Sequence, residues 1–276
     1  MIVADSNVDS AGLLACQSLA SVHPFAMIRY FAEVDSTNTA AMLDLGQAED
    51  LTMPRLYVTD AQVAGRGRHG KSWVADQGTL TFSLVARASL VKPAVNLSSG
   101  LPAPISIAVG VAIARTIEHL AAPLIARIKW PNDVYIDDGK VAGILIEAIP
   151  TRHDAVVIGV GLNVATDFRK SDAILDSPAK SICELTQRYP HRYQWLAECV
   201  GQILDALDEL ANRPEEILKD HRSRCLLKGN SIRYLIDGQW QHGDCEGIDN
   251  AGLLLVRSGQ ALHHLSSGEV HRVRRA

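Results

Sequence analysis

The sequence lacks the residue patterns that hold metals or disulfides. None of its five cysteines stands in a C-x-x-C pair, and none of its ten histidines has the H-E-x-x-H spacing or a similar ligand spacing. An odd number of scattered cysteines is typical of reduced thiols in a cytosolic chain. The sequence therefore predicts no protein-bound metal and no disulfide framework.

The sequence also lacks an export signal, a membrane span and an excess of positive charge. The residues before Cys16 include Asp5 and Asp9 but no Lys or Arg, which is the wrong charge for an export signal. The apolar run at 105–114 is too short to cross a bilayer. With 31 Asp and Glu against 27 Lys and Arg, the net charge is −4. We expect a cytoplasmic protein without membrane or nucleic-acid partners, in which any anion site is local.

What is present is a long region of mixed strands and helices, followed by a short region rich in strands. Residues 1–26 show weak periodicity and are assigned to an N-terminal extension. Residues 27–226 combine strand patterns with helix patterns, and the longest helices are expected at 105–120 and 193–211. Residues 227–276 contain short strands separated by DG, DNAG, SG and SSGE turns, which is typical of a small β-barrel. The sequence therefore predicts two domains after the extension.

Residues 65–72 read GRGRHGKS and fit two phosphate-binding patterns at once. The dinucleotide fingerprint G-x-G-x-x-G and the phosphate loop G-x-x-x-x-G-K-[ST] both need a helix directly after the glycine turn, because the helix N-terminus binds the phosphate. Here TLTFSLVA follows at 79–86, and this is a strand pattern. Neither pattern therefore fits its context.

Three cationic side chains lie in this glycine loop, which we define as residues 65–73. Arg66, Arg68 and Lys71 repel one another and gain little from folding alone. They favour an anion that binds between them, since arginine forks bind phosphate and carboxylate oxygens. Charge alone indicates a solvated basic surface loop equally well.

Four motifs together carry a resemblance to a known family. They are DSTN at 35–38, AGRGRHGKSW at 64–73, KWPNDVYIDDGKVAGILIE at 129–147 and GVGLNV at 159–164. In this order they resemble the biotin protein ligases over about residues 28–165, and the C-terminal region resembles that family loosely. The resemblance implies an α+β fold: a mixed sheet with helices packed on it, as in class II synthetases and the biotin and lipoate ligase catalytic domain, plus a small C-terminal SH3-like β-barrel.

The resemblance also implies an activity. Members of this family join biotin and ATP into biotinyl-5′-AMP and then transfer biotin to a lysine of a biotin carboxyl carrier domain, as in acetyl-CoA carboxylase. Cations suit this chemistry, because the biotin carboxylate and the α-phosphate must meet despite their like charge. The implied small molecules are biotin, ATP and Mg²⁺, with no protein ligand assigned to the Mg²⁺.

Roles for individual residues follow from the same resemblance. Lys140 and Arg66 are implied as catalytic residues. The residues implied in biotin binding are Ser36, Thr37, Asn38, Gln62, Gly65, Arg66, Gly67, Arg68, Lys140, Gly143, Gly159 and Gly161. The residues implied in ATP binding are Arg68, Lys71, Trp73, Lys129, Asn132 and Asn163. We expect flat ligand rings to lie against the backbone of Gly143, Gly159 and Gly161.

Two alternatives remain: a lipoate or octanoate ligase or transferase of the same fold, and a non-catalytic regulator that binds biotin. About 27 residues precede the first predicted core strand, too few for a helix-turn-helix domain. We therefore expect the form of the family without a DNA-binding domain and without repressor activity. An exposed sheet edge near Val141 to Ala148 would be compatible with a homodimer.

Overall fold

The computed structural model describes residues 1–47, 52–87, 103–149, 152–170, 177–236 and 238–272. Eight strands form one mixed sheet. They are β1 Ile2–Ala4, β2 Met27–Val34, β3 Arg55–Gln62, β4 Thr79–Arg87, β5 Arg127–Lys129, β6 Asp133–Ile136, β7 Gly139–Ile149 and β8 Arg152–Asn163. Their spatial order is β1-β2-β3-β4-β8-β7-β6-β5. β1, β2 and β3 run parallel, and every other neighbouring pair runs antiparallel.

Helices cover both faces of this sheet. They are α1 Ser10–Val22, α2 Thr37–Gln47, α3 Ala103–Leu120, α4 Ile182–Thr186, α5 Leu196–Asn212 and α6 Pro214–Arg224. Side chains alternate along each strand, so Leu56 and Val58 of β3 pack in the large core with α3 and α5, while Tyr57 packs in a second core with α2. The predicted fold class, a mixed sheet with helices packed on it, is confirmed. Within the described ranges, no helix is both long and apolar enough to span a membrane.

Residues 1–26 are integrated into the main fold, which differs from the predicted extension. β1 pairs with β2 at the edge of the sheet, and α1 buries Cys16 and Leu19 in the large core. A three-residue strand shows no alternation that could identify it in the sequence. The start of α1 did carry a local signal, because the Asp9 side chain accepts hydrogen bonds from the amides of Ala11 and Gly12 as a helix N-cap.

The C-terminal region forms a second sheet of five antiparallel strands. They are β9 Ser231–Ile236, β10 Gln239–Ile248, β11 Leu254–Ser258, β12 Ala261–Leu265 and β13 Val270–Arg272, in the order β12-β11-β10-β9-β13. This sheet contacts the larger one directly: the indole nitrogen of Trp130 donates to the carbonyl of Gly252 at 3.1 Å. The segment before β13 reaches the glycine loop, where Glu269 pairs with Lys71.

The predicted sheet edge near Val141 to Ala148 is only partly an edge. β7 pairs with β6 from Gly139 to Gly143, and it pairs with β8 on its other side from Ala142 onward. Ala142 and Gly143 therefore have a strand on both sides, because β6 folds back beside them. Among the described residues, the stretch of β7 from Leu145 to Ala148 pairs with β8 alone.

A buried histidine in α6 makes the fold sensitive to acid. His221 is fully buried, and within the described chain neither ring nitrogen has a hydrogen-bond partner. Burial, and secondarily the charge of Arg222, lowers the pKa of His221 from 6.5 to about 4. The folded protein therefore holds the neutral ring, whereas the unfolded chain binds a proton below pH 6.5.

We expect the free energy of unfolding to fall by about 3 kcal/mol between pH 6.5 and pH 4 through His221 alone. Urea denaturation at several pH values would measure this loss in the wild type and in His221→Leu. The leucine variant should lose less stability over that interval, because it has no ring to protonate. Equal losses in both proteins would contradict the prediction.

Candidate active site

A cavity of about 530 Å³ lies on the face of the main sheet that carries α2, which is a size typical of small-molecule sites. The glycine loop, β4, β7, β8, the turn between β5 and β6, and the start of β13 all contribute to its walls. Every residue that the sequence assigned to a site lines this cavity except Gly65. The sequence motifs, although far apart along the chain, therefore converge on one place.

The glycine loop is a narrow hairpin that leads into a strand. The Trp73 amide donates to the Gly65 carbonyl at 2.9 Å, and the Gly67 amide donates to the Lys71 carbonyl at 2.6 Å. β4 follows the loop, as the sequence predicted, so no helix N-terminus is present to bind a phosphate there. A side chain on Gly65 would clash with the Trp73 carbonyl. Gly65 therefore closes the base of the hairpin and does not line the cavity, in contrast to its predicted contact with biotin.

Each cation of the loop has a polar partner within the protein, in addition to the anion that the sequence favours between them. Arg66 lies 3.4 Å from Glu147, Arg68 donates to the Asn132 side chain at 3.2 Å, and Lys71 lies 2.7 Å from Glu269. These partners stand 64 to 198 residues further along the chain. The sequence pointed to Asn132 as a site residue, but no local pattern could reveal these three pairings between distant segments.

The Lys71–Glu269 ion pair connects the loop to the C-terminal sheet. Lys71 lowers the pKa of Glu269 to about 2, an effect that burial opposes and His271 aids, so the carboxylate stays charged at neutral pH.

We expect Glu269→Gln to raise hydrogen-exchange rates across residues 65–73 by about two- to fivefold in the ligand-free protein, since partly exposed pairs contribute little stability. Glu246→Gln is a matched control, because it breaks the exposed Glu246–Arg257 pair of the same sheet. Equal loop rates in the wild type and in Glu269→Gln would contradict the prediction.

Two further cations, Lys129 and Lys140, meet Arg68 of the loop at the turn between β5 and β6. The Lys140 ammonium lies 2.6 Å from the Asp133 carboxylate, and Arg68 bonds the neighbouring Asn132. Burial lowers the pKa of Arg68, with Asp133 opposing the shift. Burial also lowers the pKa of Lys129, and Lys140 adds to this effect while Asp133 opposes it. Positive charge is therefore concentrated and partly desolvated here, which strengthens its attraction for an incoming anion.

Protein side chains pack against the glycines of β7 and β8, which also line the cavity. A side chain on Gly161 would overlap the indole of Trp73, and one on Gly159 would overlap the amide of Asn38. The Lys140 ammonium also lies 5.4 Å from the centre of the Trp73 ring. The indole nitrogen of Trp73 is buried and has no partner among the described residues. The indole therefore forms an inner wall, against which a ligand can pack.

A polar network forms the end of the cavity at the start of α2, away from the cations at the turn between β5 and β6. The Gln62 side-chain carbonyl accepts from the Thr37 amide at 2.8 Å. The Ser83 hydroxyl lies 2.7 Å from the Thr37 hydroxyl and 2.5 Å from the Asn38 side-chain carbonyl. Ser36, which is also buried, lines the same end.

Asn38 and Asn163, like Asn132, whose amide nitrogen donates to the Ile144 carbonyl at 2.9 Å, have their amides bound to protein although ligand contacts were predicted for them. The Asn38 amide nitrogen donates to the Leu145 carbonyl and to Glu147. The Asn163 amide nitrogen donates to the backbone carbonyls of Lys140 and Lys180. Asn163 thereby fixes the strand that carries Lys140. Both asparagines support the cavity wall in this structure.

Thr81, for which no role was predicted, also lines the cavity, and its buried hydroxyl has no partner among the described residues. Its neighbours Thr79 and Ser83 are buried as well. A signal was present, because polar residues at every second position of an otherwise apolar strand indicate a polar surface on one face. Glu147 and Glu269 were also missed, and they carry no such local signal.

The chain is similar in sequence to known proteins of one family. Residues 30–163 match the model of the biotin/lipoate A/B protein ligase family. The biotin--[acetyl-CoA-carboxylase] ligase of Mycobacterium tuberculosis is 30% identical over 250 residues, which cover 88% of each chain. The bifunctional ligase/repressor BirA of Escherichia coli is 36% identical over 246 residues, which cover 86% of this chain and 71% of its own.

Solved structures agree at the level of the fold. A biotin protein ligase from Aquifex aeolicus, determined in complex with biotin and ATP, superposes with a TM-score of 0.74 at 22% identity. The superposition covers 90% of this chain and all of the Aquifex chain. With relatives at 30% identity and above over most of both chains, this chain belongs to the biotin/lipoate A/B protein ligase family.

Proposed function

We propose that this protein is an ATP-dependent biotin protein ligase, which forms biotinyl-5′-AMP and then transfers biotin to a lysine of the carrier domain of acetyl-CoA carboxylase. The observation that carries this proposal is the charge of the cavity. Five cationic side chains line it against two carboxylates, Asp133 and Glu269. Such an excess suits two anions that must meet, a carboxylate and a triphosphate. The names of the relatives support biotin as the acid.

In the first step, a biotin carboxylate oxygen attacks the α-phosphorus of ATP, the bond to the β-phosphate breaks and pyrophosphate leaves. Lys140, Lys129 and Arg68 stabilise the negative charge that accumulates in this transition state. In the second step, the acceptor lysine attacks the acyl carbon of biotin, AMP leaves and a proton passes to solvent. Because the adenylate is already activated, this step needs no nucleophile from the protein.

Magnesium enters this proposal only with the nucleotide. Among the described residues, no group of three acidic, histidine or cysteine side chains could hold a metal ion. Asp133 lines the cavity, but its carboxylate is paired with Lys140. We therefore expect Mg²⁺ to arrive bound to the triphosphate, and we assign it no protein ligand.

The test is ATP–pyrophosphate exchange, measured with biotin, with lipoate, with octanoate and without any acid. A biotin protein ligase should exchange pyrophosphate only with biotin and should then label a biotin carboxyl carrier domain. Exchange with lipoate or octanoate would instead identify a lipoate-type enzyme of the same family. Tight biotin binding without exchange would identify a non-catalytic regulator.

A further inference from the structure

Glu147 lies on β7, four residues beyond Gly143, at the junction of two walls of the cavity. No sequence motif gave it a role, and it lies just outside the residues that line the cavity. Its side chain is 22% exposed, and each of its two carboxylate oxygens has a different partner. One oxygen is bound by the start of α2 and the other by the start of the glycine loop.

The first oxygen accepts a hydrogen bond from the Asn38 amide nitrogen at 2.7 Å. Asn38 also donates to the Leu145 carbonyl at 3.2 Å, and its carbonyl contacts Ser83 at 2.5 Å. Its side chain fills the space above Gly159. Because Ser83 also contacts Thr37, the position of Asn38 determines the polar end of the cavity.

The second oxygen forms the 3.4 Å ion pair with Arg66, whose guanidinium also donates to the Thr39 hydroxyl at 3.1 Å. Thr39 lies in the first turn of α2, where the helix dipole places partial positive charge. A guanidinium at that position is unfavourable unless a carboxylate compensates it. Glu147 supplies that charge, so Arg66 can bind at the helix start and fix the first residues of the loop.

The geometry points to Glu147 as a positioning residue that sets the biotin end of the cavity by holding Asn38 and Arg66 at a fixed separation. This inference rests on the proposed function. Lys71, Lys129 and Lys140 belong to the other end, with Asp133 and Glu269. Loss of Glu147 should therefore affect the binding of biotin far more than the binding of ATP.

Glu147→Gln tests this role with little change in shape. The glutamine carbonyl can still accept from Asn38, but the amide nitrogen then faces Arg66 as donor against donor, which releases the guanidinium. We expect the KM for biotin in pyrophosphate exchange to rise by at least about tenfold, because small displacements of binding groups are costly. The KM for ATP should stay within about twofold, and hydrogen exchange at residues 65–67 should become faster.

Asp44→Asn is the matched control. It breaks the Arg29–Asp44 pair, whose side chains are 39% and 25% exposed, close to the 45% and 22% of Arg66 and Glu147. Both variants should keep the unfolding temperature within about 3 °C of the wild type, since partly exposed pairs add little stability. The control should change neither the KM for biotin nor the exchange of the loop.

The double variant Arg66→Gln/Glu147→Gln separates positioning from general damage. If Glu147 acts through Arg66, the double variant should be no worse than the poorer single variant. An unchanged KM for biotin in Glu147→Gln, or losses that multiply in the double variant, would overturn the inference. Absence of biotin-dependent exchange in the wild type would instead overturn the proposed function, and the hydrogen-exchange comparison would still test the contact of Glu147 with the loop.

Discussion

Replacing Lys140 with methionine should lower the rate of biotinyl-5′-AMP formation by about a hundred- to a thousandfold, which is the usual cost of removing one charge aimed at a transition state. Lys140 stands at the start of β7, where its backbone amide donates to the Pro178 carbonyl and its carbonyl accepts from the Lys180 amide. A rigid strand therefore directs its ammonium toward the cavity. Methionine keeps the unbranched stem of the side chain and removes the ammonium group with its charge and donors.

Lys180→Met is the matched control for this prediction. The Lys180 side chain is 27% exposed, against 23% for Lys140, and it pairs with Asp138 outside the cavity. Quenched-flow measurement of adenylate formation, with unfolding temperatures recorded in parallel, would give both effects. The control should adenylate at the wild-type rate. A folded Lys140→Met protein with near wild-type adenylation would remove Lys140 from the reaction.

The second large effect is a loss of stability when Arg192, which lies shortly before α5, is replaced. Its guanidinium is almost fully buried, pairs with Asp60 at 2.6 Å and donates to the Gln77 carbonyl in the segment between the loop and β4. The Tyr30 and Tyr193 hydroxyls also donate to Asp60, at 2.8 and 2.5 Å. Burial raises the pKa of both tyrosines, so they remain protonated donors.

Arg192→Met should lower the free energy of unfolding by about 3 to 5 kcal/mol, because it leaves the Asp60 charge buried without its cation. Arg29→Met, which breaks an exposed pair with Asp44, should cost about 1 kcal/mol or less. Adding Asp60→Asn to Arg192→Met should recover part of the loss, since the uncompensated charge is then gone. Urea denaturation of these variants would decide the matter. Equal losses in Arg192→Met and Arg29→Met would contradict the prediction.

The sequence predicted the main strands, because the alternation of side chains along a strand is a local property. The common site of the four motifs was predicted from their resemblance to a known family. The sequence also argued against a phosphate loop, because the pattern that follows the glycines is that of a strand, β4, and not that of a helix. The structure adds what the sequence could not show, namely which side chains pack against the glycines. Gly159 and Gly161 accept Asn38 and Trp73, and only the packing of distant segments determines this.

The sequence also did not reveal the ion pairs between residues that lie far apart along the chain. The loop cations are compensated by Glu147 and Glu269, which lie 81 and 198 residues away from their partners. Glu269 stands in no pattern that distinguishes it from an exposed surface residue, and Glu147, although it ends the motif at 129–147, received no role from that motif. The N-terminal strand β1 was missed for a related reason, because its pairing with β2 is a tertiary contact and three residues carry no periodicity.

The most direct test of the account is to identify the species that the purified protein forms from ATP and biotin when no acceptor protein is present. Mass spectrometry of a single turnover should find biotinyl-5′-AMP and pyrophosphate in equal amounts. Biotinol, which has no carboxylate, should yield neither, because the attacking anion is missing. Protein that binds both substrates in this cavity but releases no pyrophosphate and forms no adenylate would contradict the claim that its cations bring the two anions together to react.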